Sequence, residues 1–233
     1  MESAPGTSPD ARVAASLARN DRYLHEFVEA LALCPWARHC RELGRLGRTV
    51  LLEAGGPAGS ESQGHLVHAA LSALQEFAAR PASELEIGLL IFPALAPCLR
   101  EGHQGARGFE QFVVALREAM QRAFAATGPP FYCVAFHPEF GMDLADENRA
   151  VRFIRRSPDP TIQLVRISVL DAARGDAAGS TRYVDASRMT SEELMALQSP
   201  LSISEKITLG NFETLQREGP ERLRALLEGM KSR

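Results

Sequence analysis

The 233-residue chain is 45% hydrophobic and 24% charged, enough apolar material to bury a core of ordinary domain size. Its formal net charge of −3 gives no global basic field, so neither nucleic acid nor an anionic membrane is an expected partner. The four cysteines are too few for a disulfide scaffold, the N-terminal run does not read as an export signal, and no stretch nears the ~18 apolar residues of a membrane span. A soluble cytoplasmic protein with free thiols is expected.

Residues 1–10, rich in Ser, Pro and Gly, read as a disordered lead-in to one α/β domain over 11–233. From Asp10 the apolar residues Val13, Leu17, Leu24, Phe27, Val28 and Leu31 recur at helical spacing, and Pro35 should end that helix. Cys34 would then lie near a helix C-terminus, whose dipole raises a thiol pKa, while Arg38, His39, Arg41, Arg45 and Arg48 push it down. "TVLLEAG" predicts a short strand, with a loop at Gly55, Gly56, Pro57 and Gly59. An amphipathic helix over 61–79 follows, then the strand "ELEIGLLIFP", the helix "GFEQFVVALREAMQRAFAAT" and the strand "FYCVAFHP". The alternation predicts an α/β fold: a small central sheet of three to four strands, partly parallel, flanked by helices and ending in a helical C-terminus.

"DPTIQLVRISVLDAARG" fits a strand, or a helix with Asp159 as N-cap and Pro160 at its first position; the cap pattern tips the reading to helix. Residues 174–188 read as a loop insertion. "TSEELMALQ" opens with a capping box, and the last 30 or so residues read as two helices broken near Gly219-Pro220.

Four stretches carry a family resemblance: "ALCPWA" (32–37), "AFHPEF" (135–140), "RRSPDPTIQLVR" (155–166) and "NFETLQREG" (211–219). In order and spacing they resemble the bacterial domain-of-unknown-function family 1415, whose members read "LCPFA", "FHPDY", "NRSPYPMLHLLR" and "NIATLRRLG" at these points. The resemblance implies no particular activity. Trp36, Arg38, Arg155 and Asp159 depart from the usual Phe, Lys, Asn and Tyr. Gln163 and Phe92 stand where that family places histidines, which removes two ionisable groups from any shared site.

Three places in the chain suit chemistry. His137 ends a strand expected to be central, where ligands bind in open α/β sheets, and an imidazole there suits general acid–base work. Arg155, Arg156 and Ser157, set among Pro158 and Pro160, suit a carboxylate or phosphate; alternatively Arg156 clamps an acidic residue among Glu139, Asp143, Asp146 and Glu147. Cys34 reads as a nucleophile served by His137 and Arg38, as a haem or metal ligand, or as core with Pro35 and Trp36. No metal site is expected from Cys34, His39 and Cys40, whose spacing is too tight for zinc, and His65 and His68 read as solvated. "GGPAG" lacks the Lys-Ser/Thr of a P-loop.

The leading reading is an enzyme acting on a small anionic molecule through Cys34 and His137, with Arg38, Arg155, Arg156 and Ser157 holding the anion. A haem- or metal-binding sensor using Cys34 and His137 is the second, for which colour or stoichiometric metal in the purified protein is the discriminator. The third is a non-catalytic domain that docks a protein through its Arg38–Arg48 segment and C-terminal helices, in which His137 and Arg156 should be exposed and far apart.

Overall fold

In the computed structural model, residues 8–34, 36–52, 60–95, 97–100, 102–141, 147–171 and 203–231 are described. The Ser8 hydroxyl accepts the Ala11 N–H and caps helix α1 (Pro9–Arg22), which thus begins inside the stretch read as a lead-in. The helix does not run on to Pro35. It widens into a π-helical segment, Tyr23–Glu29, and the run ends before Ala32, which takes the left-handed conformation at φ 52°. The short helix α2 (Ala37–Glu42) leads to strand β1 (Leu46–Val50), earlier than the strand read at "TVLLEAG". Helix α3 (Ser60–Ala79), strand β2 (Ile87–Ile91), helix α5 (Gly102–Ala123) and strand β3 (Phe131–Phe136) follow as the periodicity predicts, with a turn of helix, α4 (Pro97–Arg100), that the sequence did not announce between β2 and α5. Helix α6 (Glu147–Ile154) and strand β4 (Thr161–Arg166) complete the sheet. The C-terminal helices α7 (Ile203–Glu218) and α8 (Pro220–Lys231) are broken at Gly219, whose φ of 80° suits glycine. The loop at 55–59, the insertion at 174–188 and the "TSEELMALQ" helix fall outside the described residues.

The four strands form one mixed sheet in the order β1-β2-β4-β3, with β1 and β2 parallel and β4 antiparallel to both its neighbours. The α/β sheet flanked by helices thus has the expected strand number and partial parallel pairing. Two readings change. Residues 161–166 are a strand, and only 167–171 turn helical. Asp159 caps no helix: its carboxylate accepts from the Ser16 hydroxyl at 3.0 Å and from Arg19 at 2.8 Å, tying α1 to the turn before β4. Burial decides it, because Ile162 and Leu164 enter the core between two neighbouring strands, and the Pro160 carbonyl already accepts from Phe92 at 2.9 Å. Insertion of β4 also puts β3 at the edge, so His137 follows an edge strand and not a central one.

The sheet separates two cores. On one face α3 and α5 pack Leu74, Phe77, Phe109, Phe112 and Leu116 against Leu90, Ile162, Leu164, Phe131 and Cys133. On the other, the π-helical segment, α6, α7 and α8 pack Phe27, Phe153, Leu215, Leu227 and Met230 against Ile87, Leu89 and Ile91. Alternation along β2 sorts these residues, and all five are buried because both faces are covered. Phe77 lies across two register partners, Gly47 and Gly88. A Cβ on Gly88 would meet the Phe77 ring at 2.5 Å and one on Gly47 would meet Leu85 at 2.6 Å, so bare backbone at both positions makes the seat for that ring. At the same end Arg166 donates to the carbonyls of Leu85, Phe77 and Arg80, clamping the C-terminus of α3 to the sheet.

Gly88→Ala should lower stability by about 1–3 kcal/mol through overpacking, read as a shift in the urea midpoint. Adding Phe77→Leu should return part of that loss, and a simple sum of the two single effects would contradict the contact.

Candidate functional site

The two residues expected to react lie on opposite faces of the sheet. His137 continues the alternation of Phe131, Cys133 and Ala135 onto the α5 face, where its ring sits 5.5 Å from Phe109 and 5.7 Å from Phe140, fully buried. Its Nδ1 accepts the Glu139 N–H at 3.1 Å and its Nε2 donates to the Leu99 carbonyl at 3.0 Å, so both nitrogens are occupied by backbone and the neutral tautomer is fixed. Burial draws its pKa below the ordinary 6.5, against the upward pull of the Leu99 carbonyl and of Glu139. The imidazole fastens the turn after β3 to α4.

Cys34 packs against the core on the other face, beside Leu33 and Trp36. It stands five residues past the end of the π-helical segment and just before α2, not at a helix C-terminus. Burial pushes its thiol up, and hydrogen bonds from the Trp36 and Ala37 N–H groups offset this only in part. The arginines expected to activate it are engaged elsewhere. Arg41 pairs both oxygens of Glu29 at 2.7 and 2.9 Å, Arg45 pairs Glu86 at 2.6 Å, and Arg48 pairs Asp21. Arg38 reaches the same Glu29, 3.8 Å from its carboxylate. Cys40 donates to Glu86 at 3.0 Å, and burial with that carboxylate pushes its thiol up to about 12. Among the described residues no group of three or more His, Cys, Asp or Glu side chains is placed to hold a metal ion.

Of the basic turn, two members are structural. Arg156 donates from Nε to the Pro138 carbonyl at 2.9 Å and stacks over Phe153, so it clamps backbone where an acidic side chain was the alternative. Ser157 donates to the Asp159 carbonyl at 2.5 Å, joined there by Thr161 at 2.9 Å. Arg155 differs. Its carbonyl accepts the His137 N–H at 3.0 Å, but its partly buried guanidinium makes no hydrogen bond or ion pair among the described residues. Burial pulls its pKa below the ordinary arginine value, Arg117 and Arg152 pull the same way, and Tyr132 and Glu110 oppose them.

Among the described residues β3 pairs only with β4, and these neighbours wrap its other edge. Arg117, from α5, donates to the Cys133 carbonyl and lies over the Tyr132 ring at 5.9 Å; Arg152, from α6, pairs with Glu110 and lies over Phe140 at 5.4 Å. Antiparallel pairing alternates bonded and outward residues, and the contacts of Cys133 and His137 mark the odd-numbered ones as outward. Ala135, between them, therefore turns its N–H and carbonyl outward as well. Three guanidinium groups, one carboxylate and an outward backbone N–H meet here. Sequence reading singled out Arg155 but missed Arg117, Arg152 and Tyr132, because nothing in a lone arginine on a helix shows which strand edge it will cover.

The His137 shift fixes a sign. Below pH 6.5 the unfolded chain protonates His137 while the folded chain resists, so stability is full above pH 6.5 and falls as pH drops toward the lower folded value. His137→Gln should be less stable at pH 7 by about 1–3 kcal/mol yet lose less on acidification to about pH 5, measured as urea midpoints across that range. Parallel pH profiles for the two proteins would contradict a buried neutral imidazole.

No curated protein and no solved structure matches the chain. Residues 16–194 match the family described as protein of unknown function (DUF1415), and the chain belongs to that family.

Proposed function

We propose that the protein binds a small anionic molecule at the edge of β3 away from β4, with Arg155 as the principal binding group and Arg117 and Arg152 setting the field around it. The observation that carries this is the partly buried Arg155 guanidinium, which has no hydrogen-bond or ion-pair partner among the described residues. An arginine placed beside two others and drawn out of water costs free energy unless a counter-charge joins it. A carboxylate or phosphate supplies that charge and suits the planar donor fork. Arg156 and Ser157 serve by shaping the turn that presents Arg155.

The edge suits a small ligand better than an added peptide strand. Arg117 occupies the Cys133 carbonyl and the Arg155 carbonyl occupies the His137 N–H, so that between them the Ala135 groups alone have no partner among the described residues. Cys34 and His137 have no part in this reading, because the sheet separates them and each is held by its own core. No helix among the described residues is long and apolar enough to cross a membrane.

Calorimetric titration with inorganic phosphate and with acetate at low salt tests the reading. Arg155→Ala should weaken binding at least about tenfold, the scale of one or more charge-assisted hydrogen bonds, while Cys34→Ser leaves it unchanged. Equal binding by the wild type and Arg155→Ala, or loss of binding in Cys34→Ser, would overturn it.

A further inference from the structure

Exposed apolar surface borders the arginine cluster. Tyr132 is 54% exposed although it lies inside β3, and Val114 is 49% exposed on α5. Val114 stands one turn before Arg117 and one turn after Glu110, so the three share a stripe of the helix. Arg117 in turn lies over the Tyr132 ring. Single exposed hydrophobic residues are ordinary, but the Tyr132 ring stands among the neighbours of the partly buried Arg155 guanidinium and has Arg117 lying over it. An inorganic anion would satisfy Arg155 and leave the Tyr132 ring in water.

Resting on the anion-binding reading above, we infer that the natural ligand carries an aromatic or similarly flat apolar group next to its anionic head. The head lies against Arg155, and the flat group covers the exposed Tyr132 ring. Aromatic faces pair well in offset or edge-to-face contact, and Arg117 above the Tyr132 ring favours a flat π-system alongside it. The class is therefore aryl phosphates and aryl carboxylates in preference to small inorganic or aliphatic anions.

The test compares phenyl phosphate with inorganic phosphate, and benzoate with acetate, on the full chain by calorimetry. The aryl member of a pair should bind roughly tenfold more tightly, the order expected for covering an aromatic face. Tyr132→Ala should erase that advantage and keep the affinity for inorganic phosphate. Tyr132→Phe, which keeps the ring and so guards against a mere folding defect, should preserve the advantage. Equal binding within both pairs overturns the aryl class while leaving the anion site standing. Absence of binding by all four probes overturns the anion site itself. An aryl advantage that survives Tyr132→Ala in a folded protein also contradicts the inference, because the apolar group would then lie elsewhere.

Discussion

Placement of β4, antiparallel, between β2 and β3 is the constraint on which the other features depend. It is held at its start by Asp159, whose carboxylate takes Ser16 and Arg19 from α1 while its carbonyl takes Ser157 and Thr161. At its end Arg166 locks onto the last carbonyls of α3. Between these anchors the strand is buried at Ile162 and Leu164 and paired on both sides. A partly parallel sheet split in this way sends β3 to the edge, and every candidate site residue must be read from that position.

Two consequences follow for chemistry. The sheet becomes a wall between Cys34 and His137, and each is fully explained by its own surroundings: the imidazole by two backbone bonds and two phenyl rings, the thiol by burial that outweighs two N–H donors. The outer edge, which no described strand pairs, needs protection, since unpaired backbone groups invite other strands. Arg117 provides it by capping the Cys133 carbonyl, which is a structural task completed within the fold. Arg155 lies beside it and completes no such task with its guanidinium. A charge carried into a partly buried place with no partner among the described residues is the ground for the binding role proposed for Arg155, whereas Arg41, Arg45 and Arg166 have their partners within the fold.

Much of the fold was legible because its signals were local. The 3.6-residue periodicity of α3 and α5, the apolar runs of β2 and β3, and Gly219-Pro220 each speak for themselves within about ten residues. The turn at 155–160 was not legible in the same way. Asp159-Pro160 has the look of a helix start, and only the distant Ser16 and Arg19 turn that aspartate into a tether. The motif around Cys34 was conspicuous for its composition, yet its arginines are spoken for by Glu29, Glu86 and Asp21, partners that sequence distance hides. The basic turn was singled out as an anion site, yet Arg156 and Ser157 are held by backbone carbonyls within the fold. Which of its two arginines is left without a partner among the described residues depends on the Pro138 carbonyl, a backbone group with no signature in the sequence.

The most direct test of the account is the set of backbone amide NMR shifts that inorganic phosphate perturbs as it is titrated into the labelled full chain. The account predicts concentration-dependent shifts at Cys133 to His137 and at Arg152 to Arg156, with the Ala135 amide among the largest, and quiet resonances around Cys34 and Cys40. Shifts centred on Ala32 to Arg41, or a spectrum unmoved by phosphate, would contradict it.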